Sequence, residues 1–290
     1  MRRKQIGILC ILSASIMWAV EPVLAKLSYQ NSDFLHTSGI RAIFVALIAL
    51  IYALASKANF KVSRKQFSTL IYIAIVGTLF ADLIYFFALT QVPVINAVLI
   101  GHMQPVFIIL IGFMFLKGDR LTTFDYMGIS FMIISGILVT ARTLENFSSL
   151  KIGTMGDLMV LSATIAWATT AIAMRKFLKD INAGTITFYR FFIASIFFIV
   201  YISFTSGIKI VNAYQILVGI VVGIGTIFYY EGLKRIKAAQ VSALELSTPF
   251  FAAILGFFVL GEGITTMQIL GILLLFVGIY YLSKKEEIME

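Results

Sequence analysis

Ten apolar stretches, near residues 5–27, 35–56, 67–90, 94–116, 123–141, 157–178, 184–205, 213–233, 239–260 and 267–283, fill almost the whole chain. A helix needs about 20 mostly apolar residues to cross the hydrocarbon core of a bilayer. These stretches have that length, exceed buried strands, and contain the Gly and Pro that lipid-embedded helices tolerate. Of the 290 residues 60% are hydrophobic and 13% charged, and mean hydropathy is +0.98. A soluble domain is about half apolar and a quarter charged, so part of this chain's solvent must be lipid. The fold class that follows is an all-α integral membrane protein with ten transmembrane helices. The opening MRRKQIGILCILSASIMWAV also fits a signal peptide. The remaining chain is equally hydrophobic and needs its own membrane start, which favours a true first span.

The basic residues set the direction of insertion. With the N-terminus in the cytoplasm, the inner segments hold Arg2, Arg3, Lys4, Lys57, Lys61, Arg64, Lys65, Lys117, Arg120, Arg175, Lys176, Lys179, Lys234, Arg235, Lys237, Lys284 and Lys285, 17 of the 23. The other six are Lys26, Arg41, Arg142, Lys151, Arg190 and Lys209. The positive-inside rule then predicts both termini in the cytoplasm and the chain in the cell membrane. The formal net charge of +9 is a topology signal on this reading, and nucleic acid is not expected as a partner.

The chain repeats itself. Shifted by 144 positions, Pro105 falls on Pro249, Phe107 on Phe251, Gly112 on Gly256, Leu116 on Leu260 and Thr122 on Thr266. Shifted by 149, Ser13 meets Ser162, Trp18 meets Trp167, Lys26 meets Arg175 and Arg41 meets Arg190. Residues 1–145 and 150–290 therefore read as two copies of a five-helix unit. Five is odd, so the second copy would enter the membrane upside down relative to the first. Inverted repeats with a site near the midplane between them are the architecture of many secondary transporters.

The stretch WAVEPVLAK with Arg41 beyond it, and the Pro–apolar–Gly–apolar run ending in Leu260, Gly261 and Glu262, resemble the paired repeats of the drug/metabolite transporter superfamily, EamA type. The resemblance covers both halves. It implies a ten-helix exporter or exchanger of amino acids or other small metabolites, with a proton-coupled efflux carrier of organic cations as the alternative. The first half departs from the pattern, since LKGDR stands where the second half has LGE, and Asp119 is the nearest acidic substitute.

Ionisable side chains within spans are costly unless they meet a partner or water, so each is a functional candidate. Span direction places Glu21, Arg41, Asp82 and His102 in the outer half of the membrane, and Arg190, Glu231 and Glu245 in the inner half. Two separate charge clusters, one on each side of the midplane, are expected. Arg41 and Lys26 are the basic groups on which Glu21 and Asp82 could be spent. Glu21 precedes Pro22, which frees a backbone carbonyl beside a carboxylate. Glu231 precedes GLKRIK and reads as an interfacial residue. His102 reads as a hydrogen-bonding group, because a metal needs several convergent ligands.

Trp18 and Trp167 lie mid-span at equivalent repeat positions and need partners for their indole N–H groups. Tyr85 and its repeat mate Tyr229 carry hydroxyls in the same situation, as do Tyr189 and Tyr230. The candidate substrate-binding or pathway set is thus Trp18, Glu21, Arg41, Asp82, Tyr85, His102, Trp167, Tyr189, Arg190, Tyr229 and Glu245. The expected partners are a small-molecule solute, the lipid bilayer, and protons or a counter-solute; the chain reads as a monomer or homodimer.

No catalytic residue, metal or cofactor is expected. The single cysteine, Cys10, excludes intramolecular disulfides and Cys-rich metal sites. No phosphate-binding G-x-x-x-x-G-K-[ST] loop, H-E-x-x-H or G-x-S-x-G motif occurs. A membrane enzyme would need two carboxylates converging in a wet cavity, which Glu21 and Asp82 could supply. A channel would need rings of repeated ligands, and none is visible.

Overall fold

The computed structural model describes residues 3–115, 122–150, 153–178, 180–205, 207–233, 235, 241, 244, 245 and 247–288. Among these residues there are helices and no strands. In chain order they are α1 (Arg3–Ser28), α2 (Phe34–Ala55), α3 (Arg64–Ala88), α4 (Val94–Gly101), α5 (Gln104–Phe115), α6 (Thr123–Ala141) and the short α7 (Leu144–Ser148). Then follow α8 (Met155–Phe177), α9 (Ala183–Thr205), α10 (Ala213–Leu233), α11 (Ser247–Leu260) and α12 (Thr266–Ile288). Among the described residues eight stretches are long and apolar enough to cross a membrane, and Ser247–Leu260 and Thr266–Tyr281 are shorter apolar helices. Large apolar side chains stand outward on them, among them Phe204, Phe258 and Leu54. Such a surface fits lipid as its solvent. Asp119, and the basic residues Arg2, Lys117, Arg120, Lys151, Lys179, Lys234 and Lys237, lie outside the described residues.

Local chemistry starts and interrupts the helices. Asp33 caps α2 by accepting from the backbone N–H of Leu35 and His36 at 2.8 and 2.7 Å. Thr122 with Asp125, and Thr154 with Asp157, form capping boxes at the starts of α6 and α8. The expected span at 94–116 is broken at His102 and Met103. Pro105 explains the break, since it has no N–H to bond the preceding turn and sits instead in the first turn of α5. Pro249 holds the corresponding place in the first turn of α11. The middle of α3, Ile73–Asp82, is a π-helix. Such wide turns loosen the regular backbone ladder and collect at functional sites.

Contacts between the two halves of the sequence dominate the packing. Helix α6 packs along α12, α1 along α10 and α11, α2 along α9 and α10, and α8 along α3 and α5. Two glycines show how close these approaches are. A Cβ on Gly219 of α10 would stand 2.9 Å from the Arg41 carbonyl of α2, and one on Gly278 of α12 would stand 3.0 Å from the Gly128 carbonyl of α6. Only a residue without a side chain allows that spacing, and close small-residue packing is the usual adhesive between lipid-embedded helices. Polar groups join the halves as well. Gln268 donates to Asn96 at 2.6 Å and Asn96 donates to Asp157 at 3.0 Å, tying the first turns of α12, α4 and α8 together.

Candidate transport site

Arg41 lies on the buried face of α2 and is 4% exposed. One end of its guanidinium meets Glu21 of α1, Nη2 to Oε1 at 2.8 Å, and the other meets Asp82 of α3, Nη1 to Oδ2 at 3.1 Å. Asp82 closes the π-helical segment, and its second oxygen faces the other half of the chain. There Oδ1 accepts from Arg190 Nη2 of α9 at 3.0 Å and from the indole N–H of Trp167 of α8 at 2.8 Å. Arg190 reaches further along the π segment, donating from Nε to Thr78 Oγ1 at 2.7 Å and from Nη2 to the Gly77 carbonyl at 3.2 Å. The ring of Phe191 lies between the two guanidiniums, 5.4 Å from Cζ of Arg41 and 4.9 Å from that of Arg190. A ring face there adds a favourable charge–quadrupole term.

The expected division into two charge clusters is therefore not kept: Arg190 joins Glu21, Arg41 and Asp82, while His102, Glu231 and Glu245 stand apart from them. The reason lies in the repeat. At the offsets that align the halves, Glu21 corresponds to Thr170 and Asp82 to Thr226, so Arg190 has no acid of its own. A guanidinium left alone in a low-dielectric interior is costly. The long Arg190 side chain meets that cost by crossing to Asp82, where its Nη2 reaches both Oδ1 and Oδ2, at 3.0 and 3.1 Å, and shares Oδ2 with Arg41.

The aromatic candidates pair across the halves. Trp18 and Tyr229 have ring centroids 4.8 Å apart, and Trp167 and Tyr85 have theirs 5.2 Å apart. Each pair takes its tryptophan from one half and its tyrosine from the other.

Three candidates stand elsewhere. The hydroxyl of Tyr189 donates to the Phe60 carbonyl at 3.0 Å, in the connection between α2 and α3, among Phe60, Phe67 and Phe188. His102 sits at the α4–α5 break, its Nδ1 2.7 Å from the Val98 carbonyl, and its ring approaches the main chain of Glu245. Glu245 lies before α11 with no ion-pair partner among the described residues. Glu231 of α10 pairs with Arg235 and accepts from the Tyr52 hydroxyl at 2.7 Å. Tyr230 places its hydroxyl 2.9 Å from the sulfur of Met174.

Lys26 does not pair with Glu21 or Asp82. Its Nζ meets Glu262 Oε1 at 2.7 Å, and Glu262 Oε2 accepts from the backbone N–H of Val94 at 2.7 Å. Glu262 thereby joins the end of α1, the start of α4 and the turn after α11. Thr78, Phe191 and Phe86, whose ring centroid lies 4.7 Å from Cζ of Arg41, also belong to the site and escape sequence reasoning, because neither a span threonine nor a phenylalanine stands out by type. Among the described residues no group of three His, Cys, Asp or Glu side chains could hold a metal ion.

The sequence profile of the EamA-like transporter family matches residues 5–141 and again residues 154–284. The chain is 28% identical to an uncharacterized transporter of Bacillus subtilis over 81% of its own length and 78% of that protein's. It is 25% identical to an Escherichia coli protein named "Probable amino-acid metabolite efflux pump", covering 97% of this chain and 95% of that one. It is also 25% identical to the pseudopaline exporter of Pseudomonas aeruginosa, over 66% of this chain and 64% of that one. A solved crystal structure overlays on 98% of each chain with a TM-score of 0.64 at 18% identity, a likeness of fold. Long apolar helices and a profile match over nearly the whole length place this multi-pass membrane protein in the EamA-like transporter family of the drug/metabolite transporter superfamily.

Proposed function

We propose that the chain is a secondary active carrier that exports small organic solutes, such as amino acids or related metabolites, by alternating access. On this reading residues 1–145 and 150–290 are inverted five-helix repeats in the cell membrane, with both termini in the cytoplasm. Exchange against protons or a counter-solute supplies the energy. The observation that carries the reading is the network of Glu21, Arg41, Asp82, Arg190 and Trp167, which takes residues from both halves. A movement of one half on the other must break or remake those bonds, so access and charge pairing are coupled. The repeated family match and the cross-half Trp–Tyr pairs support the two-repeat organisation. Outward direction draws support from two relatives, one named as an exporter and one as an efflux pump.

Purified protein in liposomes, screened for flux of radiolabelled amino acids with and without a pH gradient or trans solute, tests the reading. Solute accumulation driven by either gradient is expected. Product formation without flux, or no flux of any solute in the panel, would overturn it. Orientation is tested separately with single cysteines in a Cys10→Ser background on intact cells. An impermeant reagent should label Ser149→Cys and leave Ser63→Cys untouched.

A further inference from the structure

Lys65 near the start of α3 and Lys176 near the end of α8 come from different halves of the sequence. Both nevertheless place Nζ over the ring of Phe177, 4.6 and 5.5 Å from its centroid. Neither lysine has an ion-pair partner among the described residues. Two like charges gathered at one ring repel each other, and an anion that both can reach turns the repulsion into attraction.

An open groove of about 450 Å³ runs from these lysines along the seam between α3 and α8. Residues 65, 68, 69 and 72 share one face of α3, and 169, 172, 173 and 176 share one face of α8. One turn in from the lysines, Ser68 and Thr69 on α3 stand opposite Ile172 and Ala173 on α8. A hydroxyl wall thus faces an apolar one. Thr69 spends its proton on the Lys65 carbonyl at 3.0 Å, whereas Ser68 is exposed. Two turns in, the Tyr72 hydroxyl donates to Thr169 Oγ1 at 2.7 Å and closes the floor. The helical rise from Lys65 to Tyr72 is about 10 Å. The polar layer of one leaflet is about 5–8 Å deep, so such a groove begins among the headgroups and ends beside the first acyl carbons. Phe67, Tyr72 and Ile75 are exposed along α3, and the groove therefore borders on lipid.

We propose that this groove binds an anionic phospholipid, with its phosphate on Lys65 and Lys176 and an acyl chain against Ile172 and Ala173. Ser68 is placed to donate to a phosphate or ester oxygen between them. A soluble phosphate would meet the two lysines but leave the apolar wall uncovered, so the occupant that uses the whole groove is a lipid. The assignment stands apart from the carrier reading. On the proposed topology the groove opens to the cytoplasmic leaflet, where anionic lipid concentrates and basic pockets between spans take such headgroups.

The test is native mass spectrometry of the purified full-length chain, titrated with phosphatidylglycerol or with phosphatidylcholine of the same acyl chains. Phosphatidylglycerol should bind about tenfold more tightly, as two lysines near a headgroup together contribute that much. Inorganic phosphate should not displace it. Lys65→Gln with Lys176→Gln should abolish the preference, and Lys65→Arg with Lys176→Arg should keep it. Lys57→Gln with Lys61→Gln removes the same charge from the connection before α3 and should leave the preference intact. Ala173→Phe keeps both lysines but fills the apolar wall, and it should weaken phosphatidylglycerol binding. A further measurement needs no variant: bound phosphatidylglycerol should shield Lys65 and Lys176 from acetylation, and phosphatidylcholine should not. Equal binding of the two lipids, or a preference that survives loss of both lysines, would overturn the assignment. So would an equal loss in the Lys57 and Lys61 variant, displacement by inorganic phosphate, or unchanged binding by Ala173→Phe.

Discussion

The two halves of the chain share a pattern of tryptophan, arginine and tyrosine, yet they differ in charge. The first half brings Glu21, Arg41 and Asp82 to the centre, while the second brings Arg190 with Thr170 and Thr226 at the matching acidic places. Related sequences therefore do not make a symmetric site. Asp82 serves both arginines, and the first half depends on the second for a counter-charge as much as the reverse. The aromatic pairs behave differently, since Trp18–Tyr229 and Trp167–Tyr85 use matching residues on both sides. Packing kept the likeness between the halves, and electrostatics did not.

The largest effect should come from the residue that joins the halves. Asp82→Ala leaves Arg190 without its acid and Arg41 with Glu21 alone, and removing one partner of a buried pair costs about 3–5 kcal/mol. Flux should be lost and the thermal unfolding temperature of the purified protein should fall sharply. A stable variant with unchanged flux would mean that the halves are not joined through Asp82.

The two arginines should not be equivalent. Arg41→Ala removes the only ion-pair partner of Glu21 among the described residues, whereas Arg190→Ala leaves Asp82 with Arg41. The first should cost about 3 kcal/mol and the second about 1–2 kcal/mol, by the same buried-charge reasoning. Unfolding curves of the two variants side by side check the order, and a larger loss in Arg190→Ala would reverse the comparison.

Moving the acid between halves sharpens it further. Asp82→Thr combined with Thr226→Asp restores the charge sum at the place the repeat assigns to the second half. The double variant should recover about 1–2 kcal/mol relative to Asp82→Thr alone if the new acid reaches the guanidiniums, since residues in one charge network couple. No recovery would show that the aligned positions are not spatial counterparts.

The smallest effect belongs to the periphery. The Lys26–Glu262 pair is partly exposed, with side chains 21% and 14% accessible, so Lys26→Gln should cost about 1 kcal/mol or less. Its expected mark is a modest change in flux rate with little change in unfolding temperature.

Much of the helical layout is legible in the length of the apolar runs, because bilayer thickness dictates it. The break at His102 and Met103 is only hinted at by Pro105, and the π segment before Asp82 leaves no trace in composition. Hydropathy reports how apolar a stretch is and nothing of how its turns are wound. For the site, Glu21, Arg41, Asp82 and Arg190 stand out because charge in lipid is rare. Their partnership does not stand out, because depth along a span says nothing about which neighbouring helix a long side chain reaches. Tyr189 stands apart from the charge network for a related cause: polarity at membrane depth does not say which face of α9 holds the residue, and its hydroxyl bonds the Phe60 carbonyl. Lys26 and Glu262 are 236 residues apart, and no local pattern joins them.

The threonines at 170 and 226 also make the two halves non-interchangeable. A molecule made of two first halves would hold four acids and two arginines at its centre, and one made of two second halves would hold two arginines and no acid. Neither is neutral. Only the unlike combination cancels, and a single chain that carries one copy of each half delivers that balance in every molecule.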